Sequence, residues 1–307
     1  GVFAAFATVL TVSLTLECAP VNARGKVSGL IWAGGAIGIV LSGLIAPFIL
    51  TAGEAAGWRI VWIGMGIVGI IAAAGFSLTR RSSSFPPTYA APAQKRSQER
   101  KGLWATLYPL FQPRRLLFLT LVYCSFGCGY IIYFTFFIAL LEQQGVSVLN
   151  AGFVWAAIGI AGAISGWVWG RVMDRWPTGF VLALALALGA IGSLSVLLHS
   201  QGWEYVGAAL VGLTVFIAPP LMVTALVKRA VTDEEYTASF SMLTAFFALG
   251  QIVGPLASSW IVERSGLVVG TASSALVLGI SAACAWGYGV MQRHVPVSSL
   301  QSPTEGR

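Results

Sequence analysis

Charged side chains are so widely spaced in this chain that the gaps between them constrain its fold more than any motif does. Nine stretches of 16 residues or more contain no Asp, Glu, Lys or Arg, and eight of them reach at least 20 residues. Roughly 20 residues at about 1.5 Å each carry a helix across the hydrocarbon core of a bilayer. The first stretch, 1–16, is short for a full crossing. The other eight are 27–53, 60–79, 116–141, 143–170, 176–203, 205–227, 236–262 and 265–292.

Helices are the structure that these stretches favour. In lipid every backbone polar group must be satisfied within the chain, which leaves helices or closed barrels, and the stretches are too long and too uniform for barrel strands. Only 9% of the residues are charged and 57% are hydrophobic, whereas soluble chains average about a quarter charged. We therefore predict an all-α membrane protein with nine transmembrane helices. The same composition excludes collagen, coiled-coil, disordered and disulfide-scaffold proteins.

The basic residues predict the orientation of these helices. If the chain crosses nine times and the loop 80–115 is cytoplasmic, 16 of the 18 Lys and Arg residues lie on the cytoplasmic side. Only Arg59 and Arg264 lie on the other side. Cytoplasmic loops carry such an excess of positive charge. We therefore expect a multi-pass plasma-membrane protein with a cytoplasmic C-terminus, and the excess charge gives no reason to expect nucleic-acid binding.

The segment 80–115 divides the chain into two unequal parts. It is rich in Ser, Pro and charged residues and cannot form a packed core. Residues 1–79 are predicted to form three helices, residues 116–292 six helices, and residues 293–307 a cytoplasmic tail. The chain begins with Gly1 inside an apolar stretch, and a shift of 212 positions places Gly38 on Gly250. We expect a parent of six plus six helices that has lost its first three.

A short motif between the fifth and sixth stretches carries a family resemblance. GRVMDRW, residues 170–176, resembles the cytoplasmic loop motif of the major facilitator superfamily, with Gly170, Asp174 and Arg175 matching and the later Gly-Arg-Lys part missing. Residues 24–43, 129–137 and 246–255 look like helices of an uncharacterised bacterial permease branch of that superfamily. The resemblance covers essentially the whole chain. It implies a major-facilitator-type bundle and the absence of the first three helices.

The resemblance also implies a gating loop at Gly170, Asp174 and Arg175. A carboxylate at this place can accept hydrogen bonds from a helix N-terminus and pair with an arginine when the cytoplasmic gate is closed. The alternative is that Asp174 and Arg175 are ordinary loop charges that fix the topology. The sequence leaves both interpretations standing.

Candidate substrate residues are aromatic or amide side chains, because no ionisable residue falls at mid-depth of a predicted helix. Buried hydroxyl and amide groups need partners in lipid, so they should face the interior of the bundle. Trp155 is attributed to packing or to the membrane interface, and Phe134 and Phe247 are attributed to packing or to contact with lipid. The predicted cavity residues are Tyr123, Tyr130, Tyr133, Gln251 and, further from the middle of its helix, Trp32.

The predicted function is secondary transport of a small organic solute by alternating access. A membrane enzyme is excluded because His199 and His294 lie on opposite sides and no catalytic motif occurs. A non-transporting or degenerate membrane protein is the remaining alternative. We expect a monomer with solute and bilayer as partners. We expect no metal and no cofactor. Proton coupling would need a titratable group on the absent helices, and without one the protein would be a uniporter.

Overall fold

The computed structural model describes residues 24–82, 114–198, 202–231 and 233–293. Within these ranges the chain is helical and contains no strand, and every long helix includes a segment able to cross a membrane by length and composition. This confirms eight of the nine predicted helices, while stretch 1–16 lies outside the described residues. The helices are α1 Arg24–Ala52, α2 Gly57–Ser82, α3 Arg114–Gln143, α4 Val148–Arg175, α5 Gly179–Leu194, α6 Trp203–Ala230, α7 Asp233–Ser265 and α8 Leu267–Arg293.

The connections between the C-terminal helices are short. Gly145, at φ +83°, turns the chain after α3, and the Ser147 hydroxyl caps α4 by accepting a hydrogen bond from the Asn150 amide at 3.3 Å. Gly266, at φ +87°, alone separates α7 from α8. Such tight turns make neighbours antiparallel. Residues 83–113 of the predicted linker and 294–307 of the predicted tail lie outside the described residues.

Helices α3 to α8 form a bundle in which α3 packs against both α7 and α8, α8 against α5, and α4 against α6. Helix α1 packs along α4, so this pair joins the N-terminal helices to the C-terminal bundle. The contact between α3 and α7 and the contact between α1 and α4 both rely on glycine. A Cβ atom built on Gly250 would overlap the Cys124 carbonyl oxygen, and one on Gly43 would lie 2.6 Å from the Gly152 carbonyl oxygen. Backbones therefore touch, as small residues allow in membrane helices.

The exterior of the bundle is apolar and carries arginine–aromatic pairs near the helix ends. Helix α2 alone exposes many large apolar side chains, and an extended apolar surface of this kind suits a hydrocarbon surrounding. They include Trp58, Ile60, Trp62, Ile63, Ile67, Val68, Ile70 and Ile71. The Arg171 guanidinium lies 3.7 Å from the Trp167 ring centroid at the end of α4. Rings with such cationic partners are typical of the membrane interface.

Helix α6 is the one irregular helix among the eight described. It consists of Trp203–Val211, a π-helical turn Gly212–Phe216, and Ala218–Ala230. Pro219 and Pro220 have no N–H to offer the carbonyl groups four residues earlier, and their rings crowd those carbonyls. The backbone therefore widens just before the prolines, so the distortion starts one turn ahead of them.

Candidate functional site: an aromatic crevice

One face of α3 is a column of aromatic rings. Tyr123, Phe126, Tyr130 and Phe134 recur every three or four residues, which places them on a single side of the helix. Neighbouring ring centroids lie 6.0 Å apart for Tyr123 and Phe126, 5.1 Å for Phe126 and Tyr130, and 5.8 Å for Tyr130 and Phe134. The first two pairs are stacked and the third is edge-on. The column therefore presents ring faces and edges along the interior of the bundle.

Phe247 of α7 inserts into this column. Its ring centroid lies 4.6 Å from that of Tyr123 and 5.7 Å from that of Tyr130, nearly parallel to both. The close approach needs Gly127, because a Cβ atom there would overlap the Phe247 carbonyl oxygen. The sequence indicates this role through spacing: Phe247 lies one helical turn before Gln251, so both side chains lie on the same face of α7.

A single polar pair lies among the rings. The Gln251 side-chain amide donates a hydrogen bond to the Tyr130 hydroxyl oxygen, and both side chains are half-buried. Each group satisfies the other in an apolar surrounding, where an unpaired amide or hydroxyl would be costly. Both still retain hydrogen-bonding capacity: the tyrosine hydroxyl keeps its proton to donate, and the amide keeps its carbonyl oxygen. The pair can therefore bind a polar group of a solute.

The column continues to α4, α6 and α1. Phe134 meets Trp155 edge-on with centroids 5.4 Å apart, and it lies 6.0 Å from Phe216 in the π turn. The Trp155 indole N–H donates to the Ser42 hydroxyl of α1 at 3.3 Å, beside a cavity of about 170 Å³ between α1, α3 and α4. We call this whole surface the aromatic crevice; its residues are Tyr123, Phe126, Tyr130, Phe134, Trp155, Phe216, Phe247 and Gln251.

Three of the five predicted cavity residues come together in the crevice. Tyr130 and Gln251 form its polar pair, and Tyr123, only 4% exposed, supports its stack from below. Tyr133 is fully buried in the bundle beside the crevice, where it stacks on Phe137 at 4.4 Å and its hydroxyl has no hydrogen-bond partner among the described residues. Trp32 lies on α1, but its side chain is outside the described part. Substrate roles for all five stay predictions.

The residues of the predicted gating loop do not lie in a loop: Gly170, Asp174 and Arg175 belong to the last turns of α4, because the helix continues to Arg175. Asp174 and Arg175 are exposed, and the Arg175 guanidinium lies 5.3 Å from the centroid of the Trp176 ring. The Trp176 amide donates the last helical hydrogen bond, to the Val172 carbonyl at 2.8 Å, and α4 ends at Arg175, five residues after Gly170. The role of these loop residues as a gate stays a prediction.

Some crevice residues escaped the sequence analysis. Phe126 and Phe216 were not considered, Phe134 and Phe247 were attributed to packing or to contact with lipid, and Trp155 was attributed to packing or to the membrane interface. For Phe216 the sequence offers only its position three residues before two consecutive prolines, which does not assign it to the crevice. Within the described ranges no three His, Cys, Asp or Glu side chains come together in a way that could hold a metal ion.

Comparison with known proteins identifies the family. Residues 1–286 match the family described as "Uncharacterised MFS-type transporter YbfB". Chloramphenicol efflux pumps of the CDC 1551 and H37Rv strains of Mycobacterium tuberculosis are each 28% identical to the chain over 188 residues. The match covers 58% of the chain and 44% of each pump, so the chain spans less than half the length of these curated relatives. The predicted family is thereby confirmed: the chain belongs to this family of the major facilitator superfamily of membrane transporters.

Proposed function

We propose that this protein is a secondary transporter that moves a small organic solute by alternating access, and that the solute binds in the aromatic crevice. The observation that carries the proposal is the hydrogen-bonded pair of Tyr130 and Gln251 set among stacked rings. Concave, mostly apolar sites with a few converging polar groups are typical of small-molecule binding. One end of the crevice meets α1, where Trp155 contacts Ser42 and Phe216 lies against Gly35. That end therefore lies where the N-terminal helices and the C-terminal bundle, which would move against each other, come into contact.

The chemistry of the crevice favours an uncharged aromatic solute. None of the eight crevice residues carries a charge, so an anionic solute would lose its hydration without gaining a partner there. A cationic solute would gain contacts with ring faces but no anionic partner. Ring faces suit a flat aromatic group, and the amide and hydroxyl suit a neutral polar group beside it. Chloramphenicol, an uncharged nitroaromatic amide, has this chemistry and is the solute named for the mycobacterial relatives. We therefore propose export of solutes of this class.

Flux measurements test the proposal. The product of the full reading frame, reconstituted in proteoliposomes, should carry chloramphenicol with saturable kinetics. A pH step across the membrane should then separate proton-coupled transport from uniport. We expect uniport if the crevice contains the whole pathway, because it contains no carboxylate, amine or imidazole side chain that could carry a proton. Normal incorporation without saturable flux or binding would favour a non-transporting membrane protein instead.

The proposed orientation has a direct test. We propose a monomer in the plasma membrane, with segment 80–115 and the C-terminus in the cytoplasm. Gln143, at the end of α3, and Thr178, between α4 and α5, should then face opposite sides. In a variant without native cysteines, a membrane-impermeant maleimide should label Gln143→Cys in intact cells and Thr178→Cys only after permeabilisation. Labelling of both positions from the same side would contradict the assignment.

A further inference from the structure

The π turn of α6 is held in place by helix α4. Ser165 and Trp169, one turn apart on α4, both donate hydrogen bonds to the Leu213 carbonyl oxygen, at 2.6 Å from Oγ and 2.8 Å from Nε1. Ser165 is fully buried and Trp169 is 6% exposed. A carbonyl inside a distorted helix needs such partners in an apolar interior. We refer to these two hydrogen bonds as the Leu213 clamp.

The π turn determines where the Phe216 ring lies. A Cβ atom built on Gly35 of α1 would lie 3.4 Å from Phe216 Cζ, and one on Gly162 of α4 would lie 3.3 Å from Cδ1. The opposite side of the ring faces Phe134 of α3. Phe216 therefore fills the space between the N-terminal helix α1 and the column of rings, with its ring packed closely against Gly35 and Gly162.

A π turn rotates the helix that follows it relative to a regular α-helix, because it contains an additional residue for one turn. Relaxation of Gly212–Phe216 to α geometry would rotate the Phe216 side chain away from its present direction by about the 100° that separates neighbouring residues on a helix. The Leu213 clamp opposes this relaxation, because both donors would lose their acceptor in a buried place. The position of Phe216 thus depends on two side chains of α4 that do not line the crevice.

We propose that Phe216 sets the upper size limit for solutes in the aromatic crevice, and that Ser165 and Trp169 are positioning residues that hold it there through the Leu213 clamp. This inference rests on the proposed function, since it assigns the size selectivity of that same site. Removing the ring opens the space between Gly35, Gly162 and Phe134 to a larger solute. Removing the clamp displaces the ring and produces the same effect from a distance.

Binding measurements test the size limit. Dissociation constants are compared for chloramphenicol and for its bulkier N-benzoyl analogue, in the full-length protein and in Phe216→Ala. The affinity for the bulky analogue relative to chloramphenicol should rise at least tenfold in Phe216→Ala and about as much in the double variant Ser165→Ala/Trp169→Phe. Trp167→Phe, an exposed tryptophan on the same helix, is the matched control and should leave the ratio unchanged. An unchanged ratio in Phe216→Ala would overturn the size limit.

A second measurement tests the clamp without any solute. Cysteines replacing Gly35 and Phe216, in a background without native cysteines, should cross-link through a short bifunctional thiol reagent. The yield should fall at least fivefold when Ser165→Ala/Trp169→Phe is added, and should not change with Trp167→Phe. An unchanged yield in the double variant would refute the positioning role. If the unaltered protein binds neither compound, the proposed function fails and the size limit with it, while the cross-linking still decides the role of the clamp.

Discussion

Replacing Tyr130 by phenylalanine or Gln251 by alanine should weaken solute binding about tenfold in each case, since an unpaired buried polar group costs about 1–3 kcal/mol. Each change removes one group that can bind the solute and leaves its partner without the hydrogen bond between them. The double variant should lose less than the product of the two single effects, because the two changes break one shared interaction. Equilibrium binding of labelled chloramphenicol to the purified protein measures all three values.

A matched control is available on α6. Tyr205→Phe removes a hydroxyl from a tyrosine outside the crevice, which lines a different cavity at the ends of α3 to α6. Its affinity for chloramphenicol should equal that of the unaltered protein. If Tyr130→Phe and Gln251→Ala also bind normally, the crevice is not the binding site, even if transport itself is observed.

Substitution of alanine for Gly250 should be among the most destabilising small changes in the chain. The added Cβ would overlap the Cys124 carbonyl oxygen and lie 2.8 Å from the Cys128 amide nitrogen, so the clash is with backbone, which no side-chain rotation relieves. Helices α3 and α7 would have to move apart, and overpacking of this kind costs about 1–3 kcal/mol or more. The melting temperature in detergent should fall by several degrees and the yield of folded protein should drop.

Gly279→Ala is the control for this prediction. Gly279 also lies inside a helix, α8, but no heavy atom would come within 4 Å of a Cβ there. Alanine should therefore leave stability unchanged or raise it slightly, by up to about 1 kcal/mol, through its better helix propensity. Equal melting temperatures for the Gly250 and Gly279 variants would show that α3 and α7 do not cross as closely as described.

The sequence predicted the helices well because the absence of charge over about 20 residues is a local property with one physical outcome in lipid. The direction in which a side chain points is not local. Tyr130 and Tyr133 lie within one turn of α3, yet the first joins the crevice and the second is enclosed in the bundle. Which of the two tyrosines faces the crevice depends on the rotation of α3 about its axis. The glycine contacts between α3 and α7 set this rotation, and a sequence pattern does not show which residues of two helices meet.

The π turn of α6 is a second feature that a local sequence pattern could not predict. Two prolines predict some distortion of α6. Its position and form, however, depend on the hydrogen bonds that Ser165 and Trp169, about 45 residues earlier in the chain, donate to the Leu213 carbonyl. Phe216 could therefore not be assigned to the crevice from sequence. The aromatic spacing of α3, in contrast, was readable, because four rings at helical intervals must share one face whatever they contact.

The backbone contact between α3 and α7 has a further consequence for Tyr130 and Gln251, which lie on either side of it. No layer of side chains separates Gly250 from Cys124 and Cys128, so neither helix can slide past the other without breaking the interlock. If other helices tilt during transport, the Tyr130 hydroxyl and the Gln251 amide would therefore move together and keep their relative position. A solute hydrogen-bonded to this pair would therefore keep the same polar contacts while the residues around its apolar part change position.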